Sequence, residues 1–257
     1  MEFSSAQIAT WVGSFMWPFI RVGAMFMAMP VIGTQSVPVR VRLAITLAVT
    51  VVIAPQLHDL PVLDPFSLAF WIIIIQQFLI GIAMGFALQL MFSAVITSGQ
   101  IIAQQMGLGF AAMVDPSNGL QVPMVSQLYL LAVVLIFLIF NGHLILIEVV
   151  ANSFNTLPVG QEVLSPDSLW QLISWGSDMF AGALLISLPT VGALLVVNIS
   201  FGIITRAAPQ LNIFAVGFPI MIVLGFAVIM TTLPSLVPQT SKLLQNILEL
   251  IRGLVGG

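Results

Sequence analysis

The chain has 257 residues, of which 60% are hydrophobic and only 6% charged, and its mean hydropathy is +1.15. A soluble domain needs more charge to cover its surface, so we predict an all-α integral membrane protein in a lipid bilayer. Six basic and nine acidic residues, with no cysteine, exclude a nucleic-acid partner, an electrostatic membrane anchor, disulfides and thiolate metal sites.

Six apolar stretches follow one another along the chain, and each predicts a helical segment. A spanning helix needs about 20 apolar residues to cross a hydrocarbon core about 30 Å thick. The second stretch is too short for this and the third could reach about 43 Å, so we expect some helices to pack against protein or project from the bilayer. The stretches cover approximately residues 8–32, 43–54, 68–96, 128–150, 169–204 and 213–236.

Prolines and glycines inside these stretches predict irregular helices and close helix contacts. Pro18, Pro189 and Pro219 each remove a backbone donor, so several helices should be kinked or broken. Gly81 and Gly85 form a GxxxG pattern, which favours close packing of helices. Packing within the chain and packing between subunits are equally compatible with the pattern.

Charged connections predict an orientation in the membrane. Arginines lie between the first and second stretches and between the fifth and sixth, whereas acidic residues lie in the second and fourth connections. Basic loops tend to stay in the cytoplasm, which puts both arginine-bearing connections on that side and the termini opposite. The residues concerned are Arg40, Arg42 and Arg206 on the one hand and Asp59, Asp64, Glu162 and Asp167 on the other.

The last part of the chain, 238–257, predicts an amphipathic helix. Leu244, Ile247, Leu248 and Ile251 share one face, and mostly polar residues occupy the other. We expect this helix to lie along a membrane surface or a partner.

Five polar residues within or beside the apolar stretches are grouped as buried and structural: Arg21, Asn141, His143, Glu148 and Asp178. An unpaired charge in a membrane helix costs at least about 2.5 to 3.5 kcal/mol, so Arg21 must face protein or water. It has either a functional role or a structural ion pair with Asp178 or Glu148. Because those two acids lie near segment ends, simple solvation is favoured for both.

The segment "FNGHLILIE", residues 140–148, offers a proton relay through Asn141, His143 and Glu148. A helix break at Gly142, with His143 bonded to a backbone carbonyl, is the favoured interpretation. No metalloprotease pair, nucleophile elbow or phosphate-binding glycine loop is present in the sequence. We therefore expect no enzymatic activity, no catalytic residue, no bound metal and no cofactor.

The segment "GQIIAQQMGLGFAAMVDPSNGLQVP", residues 99–123, interrupts the apolar pattern. Its glycines weaken a helix, Asp115-Pro116 starts a turn, and its apolar side chains need cover. Methionine and glycine together give a deformable surface suited to a seal. From the residues alone, an ordinary re-entrant or interfacial loop is favoured over a seal.

Four long motifs, in this order, carry a resemblance to a known family: "WPFIRVGAMFMAMPVIGTQSVPVRVRLAITLAVTVVIAP", "QMGLGFAAMVDPSNGLQVPMVSQ", "FNGHLILI" and "ITRAAPQLNIFAVGFPIMI". With these motifs the chain closely resembles the FliR family of the flagellar type III export apparatus, from about Trp11 to Leu236. The resemblance is weakest in the tail after Pro238.

The resemblance implies a core subunit of an export gate, assembled with FliP and FliQ in a spiral of helical hairpins and contacting FlhB and FlhA. Residues 1–126 would be FliP-like, 127–237 would include a FliQ-like hairpin with Arg206 at its cytoplasmic tip, and 238–257 would be the tail. The gate would sit in the inner membrane at the flagellar basal body, project toward the periplasm and pass exported flagellar proteins.

The resemblance also turns the loop at 106–121 into a plug of the pore. The residues assigned to the plug are Met106, Gly107, Leu108, Gly109, Phe110, Ala111, Ala112, Met113, Val114, Asp115 and Pro116. Two alternatives stay open: a secondary transporter that uses Arg21, Glu148 and Asp178 to bind a solute or ion, and a scaffold subunit without pore contact.

Overall fold

A computed structural model describes residues 5–57, 61, 66–108, 124–160, 164–207 and 213–256. All regular elements within these ranges are helices, which confirms the predicted all-α class. The helices are α1 (Ser5–Ala28), α2 (Val39–Ile53), α3 (Leu68–Gln105), α4 (Met124–Ile139), α5 (Gly142–Thr156), α6 (Pro166–Ala207), α7 (Ile213–Thr232) and α8 (Leu236–Leu254). Single 3-10 turns follow α2 at Ala54–Gln56 and precede α8 at Leu233–Ser235.

Four of the described helical stretches are long and apolar enough to cross a membrane: Val39–Gln56, Leu68–Gln105, Pro166–Ala207 and Gly217–Leu254. The bent pair α4 and α5 makes a fifth when counted as one span. Within the described residues, the chain therefore has four or five candidate membrane spans among its helical segments. The second stretch, which the sequence predicted to be too short, is long enough to be a candidate span. Its helix begins at Val39, and the 3-10 turn extends it to 18 residues.

The two longest helices exceed what a bilayer requires. At about 1.5 Å per residue, the 38 residues of α3 extend about 57 Å and the 42 residues of α6 about 63 Å. A hydrocarbon core is only about 30 Å thick. Both helices must therefore tilt strongly or extend beyond the bilayer, as the predicted length mismatch required.

The chain divides into two compact units. Unit 1 contains Met1–Leu90, Asn141–Trp175 and Gln245–Gly257, and unit 2 contains Met91–Phe140 and Gly176–Leu244. The units alternate along the sequence. The division into 1–126, 127–237 and 238–257 that the resemblance implies stays a prediction.

In unit 1, α1 and α3 pack at very short distance through small residues. A Cβ atom on Gly85 would lie 2.6 Å from the Cβ of Ala28, and one on Gly81 would lie 2.7 Å from the Cβ of Ala24. The added atom on Gly81 would also meet the backbone oxygen of Arg21. The GxxxG pattern therefore serves packing within the chain, since only glycine permits this approach.

In unit 2, α3 and α4 pack closely. The rings of Phe92 and Phe137 meet edge to face, with centroids 5.6 Å apart, and both side chains are fully buried. A Cβ on Gly99 would lie 2.8 Å from the Cα of Ser126, so α3 and α4 also approach through a glycine. Aromatic pairs in this geometry add stabilisation beyond the apolar area that they bury.

A partly buried row of hydroxyl groups joins three helices of unit 2. The Thr190 hydroxyl lies 2.9 Å from that of Thr232 and also bonds the side chain of Tyr129. Thr190 follows Pro189, and α6 continues through this proline, as α1 and α7 continue through Pro18 and Pro219. These prolines therefore do not end their helices.

The sharp break in the described helices lies between α4 and α5, which differ in direction by 62°. Asn141 takes the left-handed conformation there, with φ 54°, and its carbonyl accepts bonds from the amides of Leu144 and Ile145. The break is therefore at Asn141, and Gly142, where it was predicted, begins α5 instead. Asparagine tolerates this conformation better than other residues with a side chain.

The apolar face of α8 is buried by the chain itself. Its residues are at most 7% exposed: Leu244, Ile247, Leu248, Ile251 and Leu254. The polar residues Lys242, Gln245, Glu249 and Arg252 are exposed. The predicted amphipathic helix is therefore present, but its apolar face packs on the protein and is not left for a membrane surface or a partner.

Candidate functional site

Helix α3 ends at a well-defined cap just before the predicted plug. Gly107 has φ 82°, its amide donates to the carbonyl of Gln104 at 3.0 Å, and the amide of Leu108 donates to that of Ala103 at 3.0 Å. These two bonds form a Schellman motif, which requires a left-handed residue and therefore favours glycine. Gly107 thus ends the helix at a fixed point, and the rule that glycine follows the last helical turn could have placed it from the sequence.

Met106, the residue before this cap, is fully buried in unit 2. A Cβ atom on Gly225 of α7 would lie 2.7 Å from its Cγ and 2.9 Å from its sulfur. No side chain beyond hydrogen therefore fits at position 225 while Met106 stays in place. The sequence analysis missed Gly225, because a lone glycine in a continuous apolar helix gives only a weak signal.

A cavity of about 440 Å³, which we call the loop-base cavity, opens beside this anchor in unit 2. It combines side-chain amides, aromatic rings and glycines, and none of the described residues that line it is charged. Its lining residues are Gln104, Gln105, Met106, Gly107, Asn198, Phe201, Gly202, Gly217, Phe218 and Met221.

The structure places only the first three of the predicted plug residues, Met106, Gly107 and Leu108, of which Leu108 is partly buried. The remaining plug residues, from Gly109 to Pro116, lie outside the described residues. Their contact with a pore stays a prediction.

In unit 1, Arg21 is fully buried and binds uncharged groups from two other helices. Its Nε donates to Oε1 of Gln77 in α3 at 2.8 Å. One terminal nitrogen donates to both the carbonyl and the hydroxyl oxygen of Ser153 at 2.8 Å, and the other to the carbonyl of Leu157 at 3.0 Å. The guanidinium also lies 4.0 Å from the ring centroid of Phe154.

These contacts explain how the charge of Arg21 is stabilised. Ser153 lies in the last turn of α5 and Leu157 is its C-terminal capping residue, so their carbonyls carry the negative end of the helix dipole. The ring of Phe154 adds an attraction for the cation. Among the described residues of its unit, Arg21 forms no ion pair, and it acts as a clasp that joins α1, α3 and the end of α5.

The other four polar residues expected to be buried are distributed differently. Asn141, Glu148 and Asp178 are exposed and His143 is half-buried, because each lies at a helix end or on a face turned away from the core. Asn141 precedes α5 as its N-terminal capping residue, and a relay through Asn141, His143 and Glu148 stays a prediction. Arg206 is exposed in the last turn of α6.

Across the described part of the chain, no group of three histidine, aspartate or glutamate side chains is arranged to hold a metal ion. The polar groups that the structure does bring together are the uncharged acceptors around the Arg21 guanidinium and the side-chain amides that line the loop-base cavity.

Comparison with known families assigns the chain. The family model described as bacterial export proteins, family 1, matches residues 12–247, nearly the whole sequence. The chain belongs to this family. The match covers both units and the base of the predicted plug, and it ends within α8.

Among the members of export family 1, the chain is similar to proteins called flagellar biosynthetic protein FliR. It is 38% identical to that of Escherichia coli (strain K12) over 257 residues, which cover 99% of this chain and 97% of the relative. Identity is 28% with that of Bacillus subtilis (strain 168), over 93% of this chain and 95% of the relative. These findings confirm the resemblance inferred from the motifs. Together with the apolar helices, membership of this export family supports a location in a bacterial membrane.

Proposed function

We propose that the chain is a core subunit of the flagellar type III export gate, which forms with FliP and FliQ the pore for unfolded flagellar subunits. The observation that carries this proposal is the similarity to FliR proteins, which extends over almost the full length of this chain and of each relative. The family description, bacterial export proteins, agrees with it. The conduit would be non-enzymatic, and the energy would come from partner proteins and the proton-motive force.

Within this gate, the loop at 106–121 would be the plug. Support comes from its base, where the Schellman cap and the Met106–Gly225 contact fix the point at which the chain leaves α3. A plug needs such a firm base if its remainder is to be displaced and to return. The same proposal includes contacts to FlhB and FlhA, a spiral arrangement of subunits, and FliP-like and FliQ-like parts of the chain. It also places Arg206 in the cytoplasm and the gate in the inner membrane at the flagellar basal body, projecting toward the periplasm.

Deletion of residues 107–118 tests the plug directly. The deletion removes the loop but leaves Met106 and α4, so the complex with FliP and FliQ should still assemble. Leakage of ions or small solutes through the membrane should rise, since nothing would close the pore at rest. Co-purification with FliP checks assembly, and a dye-release assay on vesicles that contain the complex measures the leak. Unchanged permeability in an assembled complex would count against the plug.

The transporter alternative needs Arg21, Glu148 and Asp178 to converge on one solute. Arg21 is instead occupied by Gln77, Ser153 and Leu157, and both acids are exposed. A buried, unoccupied charge would be required to favour a solute site. We therefore retain the export gate as the one proposed function.

A further inference from the structure

Part of the lining of the loop-base cavity is polar and accessible, because Gln104 and Asn198 are exposed and Gln105 is half-buried. Three side-chain amides, those of Gln104, Gln105 and Asn198, line it together. The described structure gives none of them a side-chain hydrogen bond. Each amide offers two donor hydrogens and an acceptor oxygen, so the cavity presents a group of unused donors and acceptors.

These amides match the hydrogen-bonding groups of a polypeptide backbone. A peptide unit carries one N–H donor and one C=O acceptor, and a side-chain amide can bond both in turn. An extended chain leaves these groups unpaired, whereas a folded protein uses them internally. Amides that line one cavity therefore favour an extended chain over a folded one.

The rest of the lining tolerates side chains of different kinds. Phe201, Phe218 and Met221 supply apolar surface, and methionine adapts its shape readily. None of the described residues that line the cavity is charged, so these residues neither attract nor repel one sign of charge. A phospholipid acyl chain would fit the apolar wall but would leave the three amides without partners, and a phosphate would find no cation among the described lining residues.

The cavity also has room for an occupant. Its volume of about 440 Å³ lies within the usual range of ligand sites. At Gly202, an added Cβ would meet no atom within 4 Å. The wall is therefore open at this point.

We propose that the loop-base cavity binds a short extended segment of the exported polypeptide, mainly through its backbone, as it passes the base of the plug. This site rests on the proposed function, because only an export conduit brings an unfolded chain to it. Binding without dependence on side-chain charge suits a site that must accept every part of each exported protein.

Photocrosslinking tests the site in the assembled gate. A benzophenone amino acid replaces Phe218, which is 38% exposed, or Leu188, which is 62% exposed on the same unit and does not line the cavity. An exported flagellar subunit fused to a tightly folded domain is arrested in the gate. Position 218 should give an adduct with the arrested subunit, and position 188 should not.

The outcomes separate this site from the proposed function. The arrested subunit could co-purify with the gate while position 218 crosslinks only to lipid or a neighbouring subunit. That result would overturn the proposed binding site but not the proposed export function. If removal of this chain leaves flagellar export intact, the proposed function fails. The binding site is supported if position 218 forms an adduct with the arrested subunit and forms none with an unfused subunit that is fully exported.

A second variant blocks the cavity without touching its amides. Gly202→Leu adds a side chain at the open point of the wall, and Gly192→Leu, ten residues earlier in α6, also has nothing within 4 Å but does not line the cavity. With normal recovery of the complex, Gly202→Leu should abolish most export and the crosslink at 218, and Gly192→Leu should affect neither. Normal export through a gate that carries Gly202→Leu would overturn the site.

Discussion

At the scale of single residues, Arg21 shows how a membrane protein can bury a cation among neutral groups. Its guanidinium has four hydrogen bonds to oxygen atoms of Gln77, Ser153 and Leu157. The planar fork of arginine suits acceptors in several directions, whereas the ammonium of lysine is a compact charge on a flexible stem. Arg21 therefore holds α1, α3 and the end of α5 in place, and its charge is not left available to bind a ligand.

Replacement of Arg21 by alanine should destabilise the chain strongly. Four buried acceptors would lose their donor, and since bonds to a charged group contribute about 1.5 to 3 kcal/mol each, we expect a loss of at least about 3 kcal/mol. Recovery of the gate complex should fall with it. Thermal unfolding in detergent, followed by tryptophan fluorescence, measures the stability, and co-purification with FliP measures assembly.

Two further variants control this prediction. Arg21→Lys keeps the charge but not the fork, so its stability should lie well below that of the native chain. Arg206→Ala removes an exposed arginine and should change stability by no more than about 0.5 kcal/mol. Normal recovery of an Arg21→Ala complex that has lost export would show that Arg21 acts in transport and not as a clasp.

The sequence predicted that Arg21 must be sheltered, because the energetic cost of an isolated charge in an apolar helix is general. It did not predict the partners, which lie 56 to 136 residues away along the chain. Glu148 and Asp178 were expected partners because opposite charges attract, but within unit 1 the guanidinium binds Gln77 and the oxygens at the end of α5. Which oxygens bind Arg21 depends on how distant helices pack, and a local sequence pattern does not predict that packing.

At the scale of helices, close approach is set by glycines at particular positions. Gly81 and Gly85 could be identified from their spacing, and the structure adds that they face Ala24 and Ala28 of α1. The end of α3 could likewise be predicted from Gly107. The contact of Gly225 with Met106 and the burial of the α8 face could not, because both depend on which distant helices meet.

Substitution of Gly225 by alanine should dislodge Met106. The new methyl group would overlap its Cγ and sulfur, and overpacking of this kind costs about 1 to 3 kcal/mol. Gly192→Ala is the matched control, since its methyl group meets nothing within 4 Å and alanine favours a helix by up to about 1 kcal/mol. The two variants should therefore shift the unfolding temperature in opposite directions.

The double variant Met106→Ala with Gly225→Ala isolates the contact. The smaller side chain at 106 leaves room for the methyl group at 225, so the double variant should lose less stability than the sum of the two single variants. If the plug proposal holds, Gly225→Ala should also raise the dye leak of assembled gates. Additive losses of stability would show that Gly225 matters for a reason other than Met106.

At the scale of the whole molecule, the chain leaves large apolar surfaces uncovered. Helix α6 exposes a series of aliphatic side chains, including Leu184, Leu188, Leu195, Ile199 and Ile203, each more than 50% exposed. Monomeric soluble proteins rarely expose continuous apolar surface of this extent. Lipid or other subunits must cover it, and a core gate subunit would use at least part of it for its neighbours.

Adjacent leucines in α6 separate folding from assembly. Leu194 is fully buried and Leu195 is 51% exposed. Leu194→Glu would bury an unpaired carboxylate, which costs several kcal/mol, so this variant should not fold. Leu195→Glu should keep the unfolding temperature of the isolated chain in detergent but lose co-purification with FliP and FliQ, because the carboxylate would be buried only on assembly. Retained co-purification would mean that lipid or water, and not a subunit, covers this face of α6.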